Sequence, residues 1–263
     1  MKKILLFSAF VLSVLTANAW ARSAEEAAVI VATQHISPKA QKFVKKYLGK
    51  TFEDDIRYVY SKEAKRVMPH TKEIHYLHLD KNLQPKNVGE NDAYAAIERA
   101  MKVVSNHKLH SKAEVTRALR TVICLMVDIH HMVNIRIENI PHSQKDFTYK
   151  HYSTEVGKKK DRLESVKWSN FGKNCGGYPR GFSGEWRAYD MTLYLGDRFA
   201  EYSKGTLKDW AADNGAIAAR YLAIYKPDAV VSCLDHKYVD PVNYDLMVKA
   251  SCRLAALLND VLK

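Results

Sequence analysis

The sequence predicts one mostly α-helical domain, interrupted from about residue 134 to residue 183 by an irregular lysine- and glycine-rich stretch that forms a loop or short hairpin. Two observations predict this class. Apolar residues recur at the three- and four-residue spacing of buried helix faces. Strand-like alternation of apolar and polar residues is sparse, which disfavours a large sheet. With 47% hydrophobic residues in 263 positions, the chain can build a substantial core.

The first 19 residues are expected to be a secretory signal peptide. Lys2 and Lys3 precede an apolar run over residues 4–15, and small residues stand at Ala17 and Ala19. Cleavage after Ala19 leaves residues 20–263 as a secreted or periplasmic domain. A competing cut two residues later would leave Arg22 first. No later stretch is long and apolar enough to span a bilayer, and we expect a monomer.

Helix start and stop signals divide the mature chain. Ser37-Pro38 begins a helix that Gly49 ends, and Ser111 with Glu114 forms a capping-box pattern at the start of another. Because Pro is favoured in the first turn, we place the start of the last helix at Asp240-Pro241. The predicted helices are residues 38–48, 111 to about 133, 185–202, 206–225 and 240 to about 262.

The charge and the cysteines leave alternatives open. Forty-one Lys and Arg against 29 Asp and Glu give a net charge of +12, which attracts a polyanion, either nucleic acid or an anionic membrane.

Four cysteines allow three pairings. Cys175 and Cys233 are expected in loops and are the favoured disulfide partners. Cys124 and Cys252 are expected inside helices as buried thiols.

Several residues indicate a metal site. After cleavage, the Trp20 amine and carbonyl form a chelating pair, with Asp54, His75, Asp128 and Asp190 downstream as further donors. A tryptophan in this place is also explained by an apolar cluster that it would cover. Asp128 interrupts an apolar helix and lies four residues after Cys124, on the same face. A carboxylate there needs a cation, either a metal ion or an arginine.

These residues resemble the S-one/P-one nucleases, which are secreted single-strand-specific enzymes with three zinc ions, related to zinc-dependent phospholipase C. The resemblance runs through the mature chain and implies their α-helical phospholipase C/nuclease-like fold. Its motifs are Trp20, residues 52–57, His75-Tyr76, residues 124–134, Trp186 through Asp190, Trp210 through Asp213 and residues 250–259.

The resemblance implies metal ligands at nine positions, and this chain departs from the pattern at four of them. The matching positions are Trp20, Asp54, His75, Asp128 and Asp190. Where the family has histidine, the chain has Glu25, Cys124, Asn134 and Trp186. Glutamate and cysteine can still bind zinc, whereas Asn134 and Trp186 are lost ligand positions. We therefore expect about one or two Zn²⁺ ions instead of three.

The implied activity is hydrolysis of phosphodiesters in single-stranded DNA or RNA, with Asp128 as a bridging ligand and Arg57 on the phosphate. The alternative is a catalytically impaired relative that binds a metal or an anionic ligand. A phospholipase C-like phosphodiesterase is disfavoured because the short spacing from Trp20 to Glu25 matches the nucleases.

The sequence also gives expectations for the other histidines and for Tyr76. The resemblance places His130 beside the metal ligands and His131 at the surface, and His78 where the family carries a small acid or amide. Tyr76 is the candidate platform for stacking a base. The remaining histidines are expected at the surface, and they are His70, His107, His110, His142, His151 and His236.

Overall fold

Eight α-helices dominate the described part of the computed structural model, which covers residues 22–49, 72–86, 88–89, 92–153, 162–171, 183–231 and 233–262. In chain order they are α1 Arg22–His35, α2 Pro38–Leu48, α3 Ala93–Ser105, α4 Lys112–Asp128, α5 Gly184–Leu195, α6 Phe199–Tyr202, α7 Leu207–Ile224 and α8 Cys233–Val261. The predicted mostly α-helical class is confirmed. The predicted residues 1–19, Trp20, Asp54 and Arg57 lie outside the described ranges.

Helix α1 packs against α5 and α8. Its small buried residues, Ala27, Ala28, Val31 and Ala32, let these neighbours approach closely. Gly184 contributes to this approach because a Cβ there would stand 2.8 Å from the Cβ of Glu26. The buried side chains of all the major helices join one hydrophobic cluster, consistent with a single domain.

The predicted boundaries of α2 are confirmed. The Ser37 hydroxyl accepts a hydrogen bond from the Ala40 N–H, and Pro38 occupies the first turn. Gly49 ends the helix with φ of 72°, a left-handed conformation that glycine adopts without a steric cost.

Helix α4 begins as predicted but ends sooner. Ser111 and Glu114 form a complete capping box. The helix stops at Asp128 instead of near Val133, because His131 takes an extended conformation with φ of −96° and ψ of 121°. A 3-10 turn, Met132–Asn134, then leads into a strand.

The predicted helix over residues 185–202 is two helices. Gly196 has φ of 54° and separates α5 from the single turn of α6. The prediction missed this break because the apolar spacing continues across it. Helix α7 agrees with its prediction, with Thr206 as N-cap and Tyr225 as C-cap.

The predicted start of the last helix is wrong. Helix α8 begins at Cys233, so this residue lies in the helix instead of a loop, and Pro241 lies inside it. Proline favours a first turn, but inside a helix it removes the one hydrogen bond that its own nitrogen would donate.

Two small sheets complete the fold. Strands β1 Leu77–Leu79 and β2 Ile135–Ile137 pair in parallel, with Leu77 opposite Ile135. Strands β3 Thr148–Ser153 and β4 Arg162–Lys167 form an antiparallel pair within the predicted irregular stretch, and β5 Val230–Val231 pairs in parallel with β3. The short hairpin expected there is confirmed. None of the helices in the described residues is long and apolar enough to cross a membrane.

Candidate metal centre

The candidate site lies where the start of β1 meets the last turns of α4. His75 ends a 3-10 turn, Lys72–His75, two residues before β1, and β1 pairs with β2, which follows α4. The Tyr76 carbonyl accepts a hydrogen bond from the N–H of Ala93, which attaches this segment to the start of α3. Helix α3 packs along α4, so the two chain segments hold His75 over the end of α4.

Three donor side chains converge there. The Nδ1 atom of His75 lies 2.7 Å from Oδ2 of Asp128, and the Cys124 Sγ lies 3.5 Å from the same oxygen. One ligand atom from each of the three residues lies within 4.8 Å of the other two. Cys124 and Asp128 are four residues apart on α4, so the predicted shared face is observed. No other group of three such donors occurs among the described residues.

The donor set has the chemistry of a transition-metal site. Imidazole nitrogen, thiolate sulfur and carboxylate oxygen are the three ligand types that zinc takes in proteins. Cys124 is buried and the Asp128 side chain is 7% exposed, whereas the His75 side chain is 30% exposed. The group therefore has a closed floor and an open side, which leaves access for a metal ion and a further ligand.

Asp128 has a partner even without a metal ion. The sequence required a cation beside this buried carboxylate, and His75 supplies an ionisable nitrogen at 2.7 Å. Asn134 donates from Nδ2 to the Asp128 carbonyl at 3.2 Å, which stabilises the end of α4. Asn134 thus lies beside the group while its amide nitrogen is engaged with the backbone.

The other described candidates do not belong to this group. Glu25 is buried in α1. Asp190 is exposed on α5 and accepts a hydrogen bond from the Tyr244 hydroxyl at 2.8 Å. Trp186 lies on the same helix with 64% of its surface exposed. Among the residues that the structure describes, the group comprises His75, Cys124 and Asp128.

The cysteine expectations are met in part. Cys124 and Cys252 are buried and carry free thiols, as predicted for both. Burial raises the pKa of Cys252 to about 12, so this thiol stays protonated. The expected disulfide involves Cys175, which lies outside the described residues.

Two histidine predictions need correction. His131 was expected at the surface but is buried, because its ring caps the following 3-10 turn by accepting from the Val133 N–H. Burial lowers its pKa to about 3. His130 does not join the donor group. It is buried, donates from Nδ1 to the Met126 carbonyl and accepts at Nε2 from Arg253.

The partially exposed histidines also make specific contacts. His78 pairs through Nδ1 with Asp92 at 3.0 Å, and the same carboxyl caps α3. His142 donates to the Leu222 carbonyl, and His107 and His110 are half-buried. His70, His151 and His236 lie outside the described side chains.

Sequence reasoning missed a buried polar network behind the site. Arg253 of α8 donates to Asp213 at 2.5 Å and to Asn214 at 3.1 Å, both on α7, and contacts His130 at 3.1 Å. The pKa of His130 falls well below its usual value because of burial and the Arg253 charge. The available signal was Arg253 itself, a charge in an apolar helix, which requires partners as Asp128 does.

Tyr76, the candidate stacking residue, has one ring face occupied. The Arg136 guanidinium lies 3.8 Å from the Tyr76 ring centre and donates to the Val133 carbonyl. The Arg136 contact therefore excludes a base from this face of the Tyr76 ring.

The geometry defines a class of site, a mixed nitrogen, sulfur and oxygen donor group at the end of a buried helix. Neither a protein-family model nor a curated protein matches the chain.

Proposed function

We propose that this protein is a zinc-dependent phosphodiesterase that hydrolyses single-stranded DNA or RNA. The observation that carries the proposal is the convergence of His75, Cys124 and Asp128. Zinc accepts all three donor types, and catalytic zinc sites commonly combine three protein ligands with an open position. A bound zinc ion would supply Lewis-acid polarisation of a phosphate oxygen and of the attacking water.

The three side chains have different tasks in this proposal. Asp128 contributes the negative charge, and Asn134 fixes the helix end that carries it. Cys124 adds a thiolate from one turn earlier in α4, on the buried side. His75 closes the group from the more exposed side, where a substrate enters.

The substrate class follows from charge and from the resemblance. A chain of net charge +12 attracts a phosphate backbone at low ionic strength. Arg57 is proposed to bind the scissile phosphate. Asp54 is a proposed further ligand of the metal at His75, Cys124 and Asp128. Trp20 and Glu25, with Asp128 as the bridging ligand, are proposed to hold a second Zn²⁺ ion. Export of the mature chain to the periplasm or the medium, as a monomer, belongs to the same proposal.

A second candidate is a non-catalytic protein that binds a metal or an anionic ligand. Two observations favour it. The Asn134 amide nitrogen is engaged by the Asp128 carbonyl, and Trp186, with no metal-binding atom, stands exposed at another ligand position of the nucleases. A metal ion at the His75 group is compatible with both candidate functions, so catalysis must be tested directly.

Replacement of Asp128 by Asn tests the proposal. Zinc-loaded wild-type protein should cut single-stranded DNA or RNA, and Asp128→Asn should lower the rate by at least ~100-fold, because the amide keeps the shape but removes the ligand charge. Asp197→Asn is the matched control, since Asp197 is exposed between α5 and α6.

The outcomes separate the candidates. Wild-type protein that retains zinc and binds the strand without cutting it supports the binding protein. Unchanged cleavage by Asp128→Asn contradicts the proposed role of this carboxylate. A loss of thermal stability with full zinc content would make Asp128 a structural residue.

A further inference from the structure

A basic groove lies at the end of the molecule formed by α2, the 3-10 turn His107–Leu109 and the end of α8. We use the name basic groove for this cavity of about 690 Å³. The described residues that line it include no Asp or Glu. Its basic side chains are Lys39, Lys42, Lys46, His107 and Lys108.

The lysines of α2 form a continuous row. Lys39, Lys42 and Lys46 are spaced by three and four residues, so they share one helix face and cover about 10 Å of helix length. Lys108, in the 3-10 turn His107–Leu109, also lines the groove. Lys42 and Lys108 are exposed and form no ion pair with the described residues. Their charges are therefore available to a ligand.

The floor of the groove is aromatic and apolar. Phe43 and His107 meet edge to face with ring centres 4.8 Å apart, and Tyr47 lies behind them. Leu109, which lines the rim, is 82% exposed. A flat anionic bilayer would contact the rim but not the floor of a concave surface. A flexible strand can place phosphates along the lysines and bases toward the rings.

The groove is separate from the metal centre. The Thr116 hydroxyl donates to the Tyr47 carbonyl at 2.8 Å, so the groove adjoins the first turns of α4. Cys124 and Asp128 lie in its last two turns. Thr116 and Asp128 are separated by about 18 Å along the helix axis at 1.5 Å per residue.

We infer that the basic groove binds the phosphate backbone of single-stranded nucleic acid, as a second contact site remote from the metal centre. The inference rests on the substrate class of the proposed function but not on turnover. It follows from the row of lysines, the lack of carboxylates in the described part of the lining, and the aromatic floor. Phosphates recur every ~3.4 Å of axis in a stacked strand, so the lysine row matches about three of them.

A charge-matched pair of triple variants tests this inference. Lys42→Gln, Lys46→Gln and Lys108→Gln together remove charge from the groove. Lys145→Gln, Lys167→Gln and Lys226→Gln remove the same charge from exposed positions elsewhere. Full-length mature protein is titrated with fluorescent oligothymidylate of about 20 nucleotides across a range of salt concentrations, and its intactness is checked on a gel.

The groove variant should bind at least ~10-fold more weakly at low salt, and its slope of log affinity against log salt should shrink by about 2, because each lost phosphate contact contributes ~0.7. The control variant should keep the wild-type slope. Equal losses in both variants, or no loss in either, would overturn the inference. Loss of binding to phosphatidylserine vesicles with unchanged oligonucleotide binding would overturn it in favour of a membrane surface.

Failure of the proposed function has a different signature. If wild-type protein does not cleave the strand but binds it through the groove, hydrolysis is wrong and the groove assignment stands. If the groove variant cleaves and binds the strand as wild type does, the groove assignment is wrong and hydrolysis stands.

Discussion

Asp128 and His131 lie three residues apart at the end of α4, and burial gives them different roles. Asp128 contacts an ionisable nitrogen of His75 and a thiol, so it belongs to a donor group that could hold a metal ion. His131 accepts a backbone N–H and has its pKa lowered to about 3 by burial, so it is neutral and structural. The immediate partners, more than sequence position, decide the role of each side chain.

His131 makes stability depend on acid. The unfolded imidazole takes a proton near pH 6.5, whereas the folded one does so only near pH 3. Between these values the unfolded state binds the extra proton, so the free energy of unfolding falls as the pH falls, by roughly 3 to 5 kcal/mol in total. Above pH 6.5 this contribution is fully present.

Denaturant unfolding of wild-type protein and His131→Asn between pH 7 and pH 4 checks this prediction. Asn keeps an oxygen that can accept the Val133 N–H but does not titrate, so the acid dependence should become shallower. His110→Asn, at a half-buried site elsewhere, should retain the wild-type dependence. Identical profiles for wild type and His131→Asn would show that this ring does not control acid stability.

The site residues were predictable to different degrees. His75, Cys124 and Asp128 were identified because a carboxylate in an apolar helix needs a partner and because two donors four residues apart share a face. The distance between His75 and α4 was not predictable from spacing, since it depends on the parallel pairing of β1 with β2. The burial of His131 was missed because a one-residue change of backbone direction turns its ring inward.

Among the elements, α4 is the one that extends from the basic groove to the candidate metal centre. Its first turns adjoin the basic groove through Thr116, and its last turns carry Cys124 and Asp128. The capping box of Ser111 and Glu114 satisfies the backbone donors that would otherwise be unpaired at its start.

Ser111→Ala should therefore lower the free energy of unfolding by about 1 kcal/mol. The metal content should remain that of wild type, because the donors lie three or more turns away. Chemical denaturation and elemental analysis measure the two quantities. Ser111→Thr keeps the hydroxyl and should lose much less stability. A parallel loss of zinc in Ser111→Ala would mean that the start of α4 is coupled to its end.

Cap signals made α2, α4 and α7 predictable, since each begins at a Ser or Thr whose side chain accepts a backbone N–H. Helices α1 and α3 were missed. Asp92 caps α3 in the same way. Helix α3 was missed because few apolar residues precede Asp92. The start of α8 was missed because proline is favoured in the first turn of a helix, whereas Pro241 lies inside this one.

At the scale of the whole molecule, polar side chains of α8 connect it with other helices. Arg253 of α8 links α7 to the end of α4 through Asp213, Asn214 and His130. Asn259, also on α8, accepts the Ser37 N–H and donates to the His35 carbonyl, which fixes the turn between α1 and α2. The mostly α class followed from periodicity, but these links join residues far apart in sequence.

The central claim is that His75, Cys124 and Asp128 hold a metal ion, and Co²⁺ titration tests it most directly. Metal-free protein titrated with Co²⁺ should develop a thiolate-to-cobalt charge-transfer band, because Cys124 is a ligand. The band should be lost in Cys124→Ser and kept in Cys252→Ser, the matched change at the other buried free thiol. A band that survives Cys124→Ser, or no band in wild-type protein, would contradict the metal centre proposed for these residues.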